Sequence, residues 1–123
     1  MRPEMDGRES IGQKGWISRL IAFTGQSLKG PAGSVAFMKL ADTALDVTFN
    51  RDGSIDKQVP AAGRAQGIAF KMGKGRVVMM GEAGMLSAQL AGAQKRKFGM
   101  NRAGIDNRQL ALNVMHWLSG LLK

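Results

Sequence analysis

The stretch QGIAFKMGKGRVVMMG (66–81) constrains the fold most. Two short apolar runs, 66–72 and 76–81, flank GKG (73–75). Two glycines in three residues suit a tight antiparallel hairpin, because glycine supplies the positive φ such turns need. The second run, Val77-Val78-Met79-Met80, is apolar throughout, as expected of a central strand covered on both faces. It ends at Gly81-Glu82-Ala83-Gly84, a glycine elbow ahead of a helix-like segment. Whether Glu82 at that elbow performs chemistry or only helps the chain to bend is the main functional question the sequence poses.

Other elements gather around this hairpin. WISRLIAFTG (16–25) reads as an ordered segment with a strand at LIAFT, ended by Gly25. VAFMKLA (35–41) is a second strand, and ALDVTFN (44–50) a third, with Leu45, Val47 and Phe49 alternating against polar residues. RDGS (51–54) is turn chemistry, and KQVPAAGRA (57–65) reads as a loop held by Pro60 and Gly63. MLSAQLA (85–91) suits two helical turns, and GAQKRKFGMNRAGI (92–105) reads as a long basic loop. DNRQLALNVMHWLSGLL (106–122) is the strongest helix, opened by a capping-box-like Asp106 and Gln109. Its periodicity places Leu110, Val114, Trp117, Leu118 and Leu121 on one face, widened by Ala111, Met115 and Leu122. Asn113, His116 and Gly120 fall opposite, and Leu112 lies on the rear flank.

The expected fold is therefore α+β, or α/β: a small mixed β-sheet of about four to five strands with a hairpin at 66–81 and a long C-terminal helix, 106–122, packed on it. Residues 1–15 read as a polar, flexible lead-in, and 16–123 as one domain, the count expected of 123 residues. No apolar run is long enough to span a bilayer, and the first residues show no apolar signal region. The expectation is a cytoplasmic protein with no membrane partner.

Cysteine is absent, which excludes disulfides, thiolate metal sites and cysteine nucleophiles. His116 is the only histidine, so neither a histidine-rich metal site nor a serine–histidine pair is signalled, and no GxSxG elbow occurs. Ser27, Ser87 and Thr24 are isolated hydroxyls. No metal and no cofactor is expected, and the chain does not read as an enzyme. Charge is uneven. Residues 1–56 carry seven basic and seven acidic side chains; residues 57–123 carry eleven and two, so the whole +9 lies in the second part. Lys95, Arg96, Lys97 and Arg102 are candidate phosphate contacts, with Phe98 a candidate for stacking, if the partner is nucleic acid or another polyanion. The competing reading is a solvated basic loop. For Gly81, Glu82 and Gly84 the competing readings are a ligand-binding or general-base carboxylate and an acid held by free amides at a bend.

Four segments in order, FTGQSLKGP (23–31), GKGRVVMMGEAGMLSAQL (73–90), FGMN (98–101) and DNRQLALNVMHWLSGLL (106–122), resemble the C-terminal half of a bacterial protein group of unknown function. That group looks like part of the class I glutamine-amidotransferase-like, flavodoxin-like superfold. The resemblance implies a strand–hairpin–helix layout with the last helix on a sheet. It implies no activity: the amidotransferase nucleophile is a cysteine on the other half. A stand-alone half-domain would leave apolar surface uncovered, so the first functional expectation is a non-catalytic, homo-oligomeric binding or assembly module, with Leu112, Met115, Leu121 and Leu122 as interface candidates. The alternatives are a polyanion-binding protein using the basic second half and, more weakly, a small hydrolase centred on Glu82.

Overall fold

The computed structural model describes residues 16–121; the lead-in 1–15 and Leu122 lie outside the described residues. Among the described residues seven strands form three small antiparallel sheets, and one helix follows them. The architecture is α+β, but the strands do not join into one mixed sheet. β1 (Val35–Lys39), β4 (Ala65–Met72) and β5 (Gly75–Met80) form a three-stranded sheet in the order β1-β4-β5. β2 (Leu45–Phe49) and β3 (Ile55–Pro60) form a ribbon, and β6 (Ala88–Ala91) and β7 (Arg96–Gly99) a second one.

The central hairpin has the register its sequence dictates: Met72 faces Gly75, and Gly67 faces Met80. Gly73, at φ +58°, turns the chain. One face of this sheet meets α1 (Asn107–Leu118). Phe37, Ala69, Met85, Leu110, Val114 and Trp117 form the core, with Val78 and Met80 against it. Arg76, on β5, lies 5.2 Å above the Trp117 ring and donates to the Trp117 carbonyl at 2.7 Å, so a cation covers the end of the core without burying its charge alone.

Several expectations need correction. Residues 57–60 belong to β3 and are not loop. Pro60 is tolerated because it ends an edge strand at a position that needs no N–H. Residues 84–86 make a single 3-10 turn, and residues 88–91 are strand, so MLSAQLA is no helix. The basic stretch is no long loop either: Gly92–Lys95 turns β6 into β7. The RDGS turn is present. Asp52 accepts hydrogen bonds from the Ser54 hydroxyl (2.6 Å) and amide (2.9 Å), which hold its carboxyl below the ordinary 3.8. The turn is therefore fully supported above that value and loses this support as pH falls through the lowered one.

The helix stops at Leu118, four residues before its expected end. Gly120 takes φ +85°, the Gly120 amide donates to Trp117, and the Leu121 amide donates to His116. Those two bonds close a Schellman motif, which glycine permits at little cost. The helix is also rotated from the face its hydrophobic period suggests. Asn107 and Asn113 are fully buried, whereas Leu112, Met115, Leu118 and Leu121 are exposed. Met115, Leu118 and Leu121 thus leave the core face assigned to them. Two asparagines take the inward positions because polar partners await them there.

Residues 20–24 are not a strand, yet they are extended and well held. Side chains do the work of a neighbouring strand. The Asp106 carboxylate accepts from the amides of Ser18 (2.7 Å) and Arg19 (2.9 Å). Asn107 accepts from the Ile21 amide (3.0 Å) and donates back to the Ile21 carbonyl (2.8 Å). Glu82 accepts from the Phe23 amide at 3.3 Å. Arg19, Ile21 and Phe23 are alternate residues, so one edge of an extended chain is laced to Asp106, Asn107 and Glu82. Asp106 is committed to this task and makes no side-chain cap on α1, while Gln109 donates to Asn113. The capping box read from the sequence is not formed.

Candidate functional site

Glu82 sits where β5 ends. It is 5% exposed, and both carboxylate oxygens accept from the Met85 amide at 3.1 Å, with Phe23 as a further donor. Gly84 lies against this carboxylate: a Cβ there would come 2.6 Å from Glu82 Oε1 and 3.0 Å from the Phe98 ring. Gly81 leaves the hairpin beside the Gln26 backbone. The elbow therefore brings Gly81, Glu82 and Gly84 together as a bend whose acid points into backbone amides. Among the described residues no three His, Asp or Glu side chains cluster as metal ligands.

The basic candidates lie on the β6–β7 hairpin and in the turn that follows it. Lys95 occupies the hairpin turn with φ 49°. The Arg96 guanidinium is held by the Gln94 carboxamide at 2.8 and 3.0 Å. In register, Arg96 faces Ala91 and Lys97 faces Leu90, so Arg96 and Lys97 point to opposite sides of the ribbon. Phe98 is half-buried, its ring centroid 4.0 Å from that of Phe23. It anchors the hairpin to the N-terminal segment through this ring contact. Arg102 lies beyond Gly99, in the turn closed by its amide to the Gly99 carbonyl.

Two surfaces stand out from the structure. The first is the outer side of α1. Leu112 and Met115 lie on the side away from Leu110, Val114 and Trp117, and Leu118 sits at the flank beside Val114. Leu112 is 47% exposed and Met115 62%, and Leu121 adds 63% just past the helix end. His116 flanks them, its Nδ1 without a hydrogen-bond partner among the described residues.

The second is a groove of about 520 Å³ between β2 and the segment Thr24–Ser27. All five β2 residues line it, and Arg64 contributes from the β3–β4 connection. Ser27 Oγ donates to Asp46 Oδ2 at 2.6 Å, and Arg64 Nε donates to Ser27 Oγ at 2.5 Å. Arg64 also lies 3.9 Å from Asp46 and donates to the Ser27 carbonyl at 3.2 Å. This cluster ties the ribbon to the opposite wall. A serine hydroxyl bound only to a carboxylate and an arginine has no base strong enough to make it a nucleophile. No sequence signal points to the cluster, because Ser27, Asp46 and Arg64 are far apart along the chain and each looks ordinary alone.

Among the described residues no helix is long and apolar enough to cross a membrane. Comparison of the chain with protein-family models, with curated proteins and with solved structures found no match.

Proposed function

We propose that this protein is a non-catalytic, homo-oligomeric binding and assembly module, akin to the C-terminal half of an amidotransferase-like domain. One observation carries the assembly reading: the outer side of α1 presents Leu112 and Met115 to solvent, with Leu118 exposed at its flank and Leu121 just past the helix end. A second copy related by a two-fold axis covers such a face with the same residues, the commonest form of self-association. The committed carboxylate of Glu82 supports a structural role at the elbow, since a general base needs free lone pairs facing a substrate.

Light scattering should return a multiple of 13.2 kDa at micromolar concentration. The double variant Leu112→Glu with Met115→Glu should fold, because both side chains are exposed in the single chain, and should self-associate about a hundredfold more weakly or worse. A native mass near 13.2 kDa throughout that range would remove the reading.

Polyanion binding is the second reading. Lys95, Arg96, Lys97 and Arg102 are exposed, and none forms an ion pair with a described acid. Their replacement by alanine should flatten the salt dependence of duplex DNA binding by up to about 0.9 for each phosphate no longer neutralised. Absence of any DNA or RNA binding by the native chain at low salt would end this second reading without mutagenesis.

A further inference from the structure

We infer that the β6–β7 ribbon binds duplex DNA by entering its major groove, with Arg96 oriented to contact guanine. This inference rests on the polyanion reading and names the partner. Charge is the first ground. Residues 83–105 hold four basic side chains and no acid. The acids that bound this segment, Glu82 and Asp106, accept from backbone amides. Shape is the second. Residues 88–90 and 92–97 are exposed, so the ribbon shows both faces to solvent. It is held at its base, where Phe98 packs on Phe23 and the Met100 amide donates to the Ser87 carbonyl at 2.6 Å. The tip is open: a Cβ on Gly92 would meet nothing within 4 Å. A two-stranded ribbon fits the major groove of B-DNA, which is about 12 Å wide.

The third ground is the way Arg96 is held. The Gln94 carboxamide oxygen accepts from Arg96 Nε at 3.0 Å and from Nη2 at 2.8 Å. Those bonds occupy the side of the guanidinium. Its end remains, where Nη1 and Nη2 each still have a hydrogen to donate. Gln94 is neutral, so it orients this fork and leaves the charge uncompensated. An end-on fork matches O6 and N7, the two acceptors of guanine in the major groove. Lys97 faces the other side of the ribbon, Lys95 sits at the tip and Arg102 beyond the base. These three serve phosphates, which position the ribbon without reading sequence. Other nucleic acids fit less well. The major groove of duplex RNA is too deep and narrow for side chains to read. Single strands stack on several rings, and residues 88–105 hold one aromatic, the half-buried Phe98.

The test is fluorescence anisotropy with the full chain at one fixed, low salt concentration. The probes are a short G·C-rich DNA duplex, the same duplex with 7-deazaguanine in place of guanine, the RNA duplex of that sequence, and heparin. The 7-deaza duplex keeps every phosphate and loses only the N7 acceptor. It should bind at least about threefold more weakly than the ordinary duplex, and the RNA duplex should bind no better than it does. Arg96→Lys keeps the charge and lacks the fork. That variant should bind the ordinary duplex about tenfold more weakly, should bind both DNA duplexes alike, and should hold heparin within about twofold of the native chain. Gln94→Ala should narrow the difference between the two DNA duplexes and leave heparin binding unchanged. Equal affinity of the native chain for the two DNA duplexes, or for DNA and RNA, overturns the inference and leaves the polyanion reading standing. No binding to any of the four probes ends both.

Discussion

Asn107→Ala should cost about 3–5 kcal/mol, a large share of the roughly 5–15 kcal/mol that holds a domain together. The carboxamide is fully buried, and it serves three backbone groups at once. It accepts from the Ile21 amide, and its nitrogen donates to the carbonyls of Ile21 (2.8 Å) and Met85 (2.9 Å). Truncation strands all three, and each buried polar group left unpaired costs about 1–3 kcal/mol. Chemical denaturation reads the loss, and hydrogen exchange locates it: the Ile21 amide should lose protection before the β4–β5 amides do. Asn107→Asp separates hydrogen bonding from volume. An ionised carboxylate would present an oxygen to two carbonyls, so the folded state favours the protonated acid. That raised folded pKa makes this variant gain stability as pH falls from neutrality toward the ordinary carboxyl value, and lose it again as pH rises. A cost of less than about 1 kcal/mol in Asn107→Ala would mean that water replaces the carboxamide and that the lacing of residues 16–25 is dispensable.

This lacing also explains what can be read in the sequence and what cannot. The hairpin of β4 and β5 is legible because its information is local: two apolar runs, two glycines and a register that follows from the turn. β2 is legible for the same reason, through the alternation of Leu45, Val47 and Phe49. The helix is legible as an element, but its orientation is not. Hydrophobic period treats asparagine as outward, and nothing near Asn107 announces that the backbone of Ile21 will meet it 86 positions away. The strand expected at LIAFT is absent on the same ground. The segment's hydrogen-bond partners are the side chains of Glu82, Asn107 and Gln66, so it never joins a ladder. β6 and β7 escape a sequence reading because basic residues and glycines resemble a loop; their pairing rests partly on Phe98 docking onto Phe23, a contact between distant segments. At the candidate sites, the elbow is visible in its glycines, and the exposure of Leu112 follows from its place on the helical rear flank. The groove is not visible, because it arises where a ribbon edge faces Thr24–Ser27, and neither wall is unusual in sequence.

Gly81→Ala should be as damaging as Asn107→Ala or worse, although Gly81 does not need a positive φ. The reason is close approach. A Cβ on Gly81 would collide with the Gln26 carbonyl oxygen and lie 3.1 Å from its carbon. Both strands at this crossing are pinned. The Gln26 amide donates to Gly81 at 2.8 Å, the Gly81 amide donates to Gln66 at 2.8 Å, and the Leu28–Ala65 bridge follows two residues on, with bonds of 2.6 and 3.0 Å. Backbone cannot swing aside as the end of a side chain can, so relief requires breaking these bonds, at several kcal/mol in all. Gly53→Ala is the control. Gly53 has φ +85° in open space, and alanine there incurs only the left-handed backbone cost of about 1–2 kcal/mol. Denaturant midpoints for the two variants should therefore order Gly81→Ala well below Gly53→Ala. The damage should also reach the groove beside β2, because Gln26 belongs to its Thr24–Ser27 wall. Equal stability of the two variants would show that the crossing at Gly81 has slack, and that the bend after β5 is not what fixes the far wall of the groove.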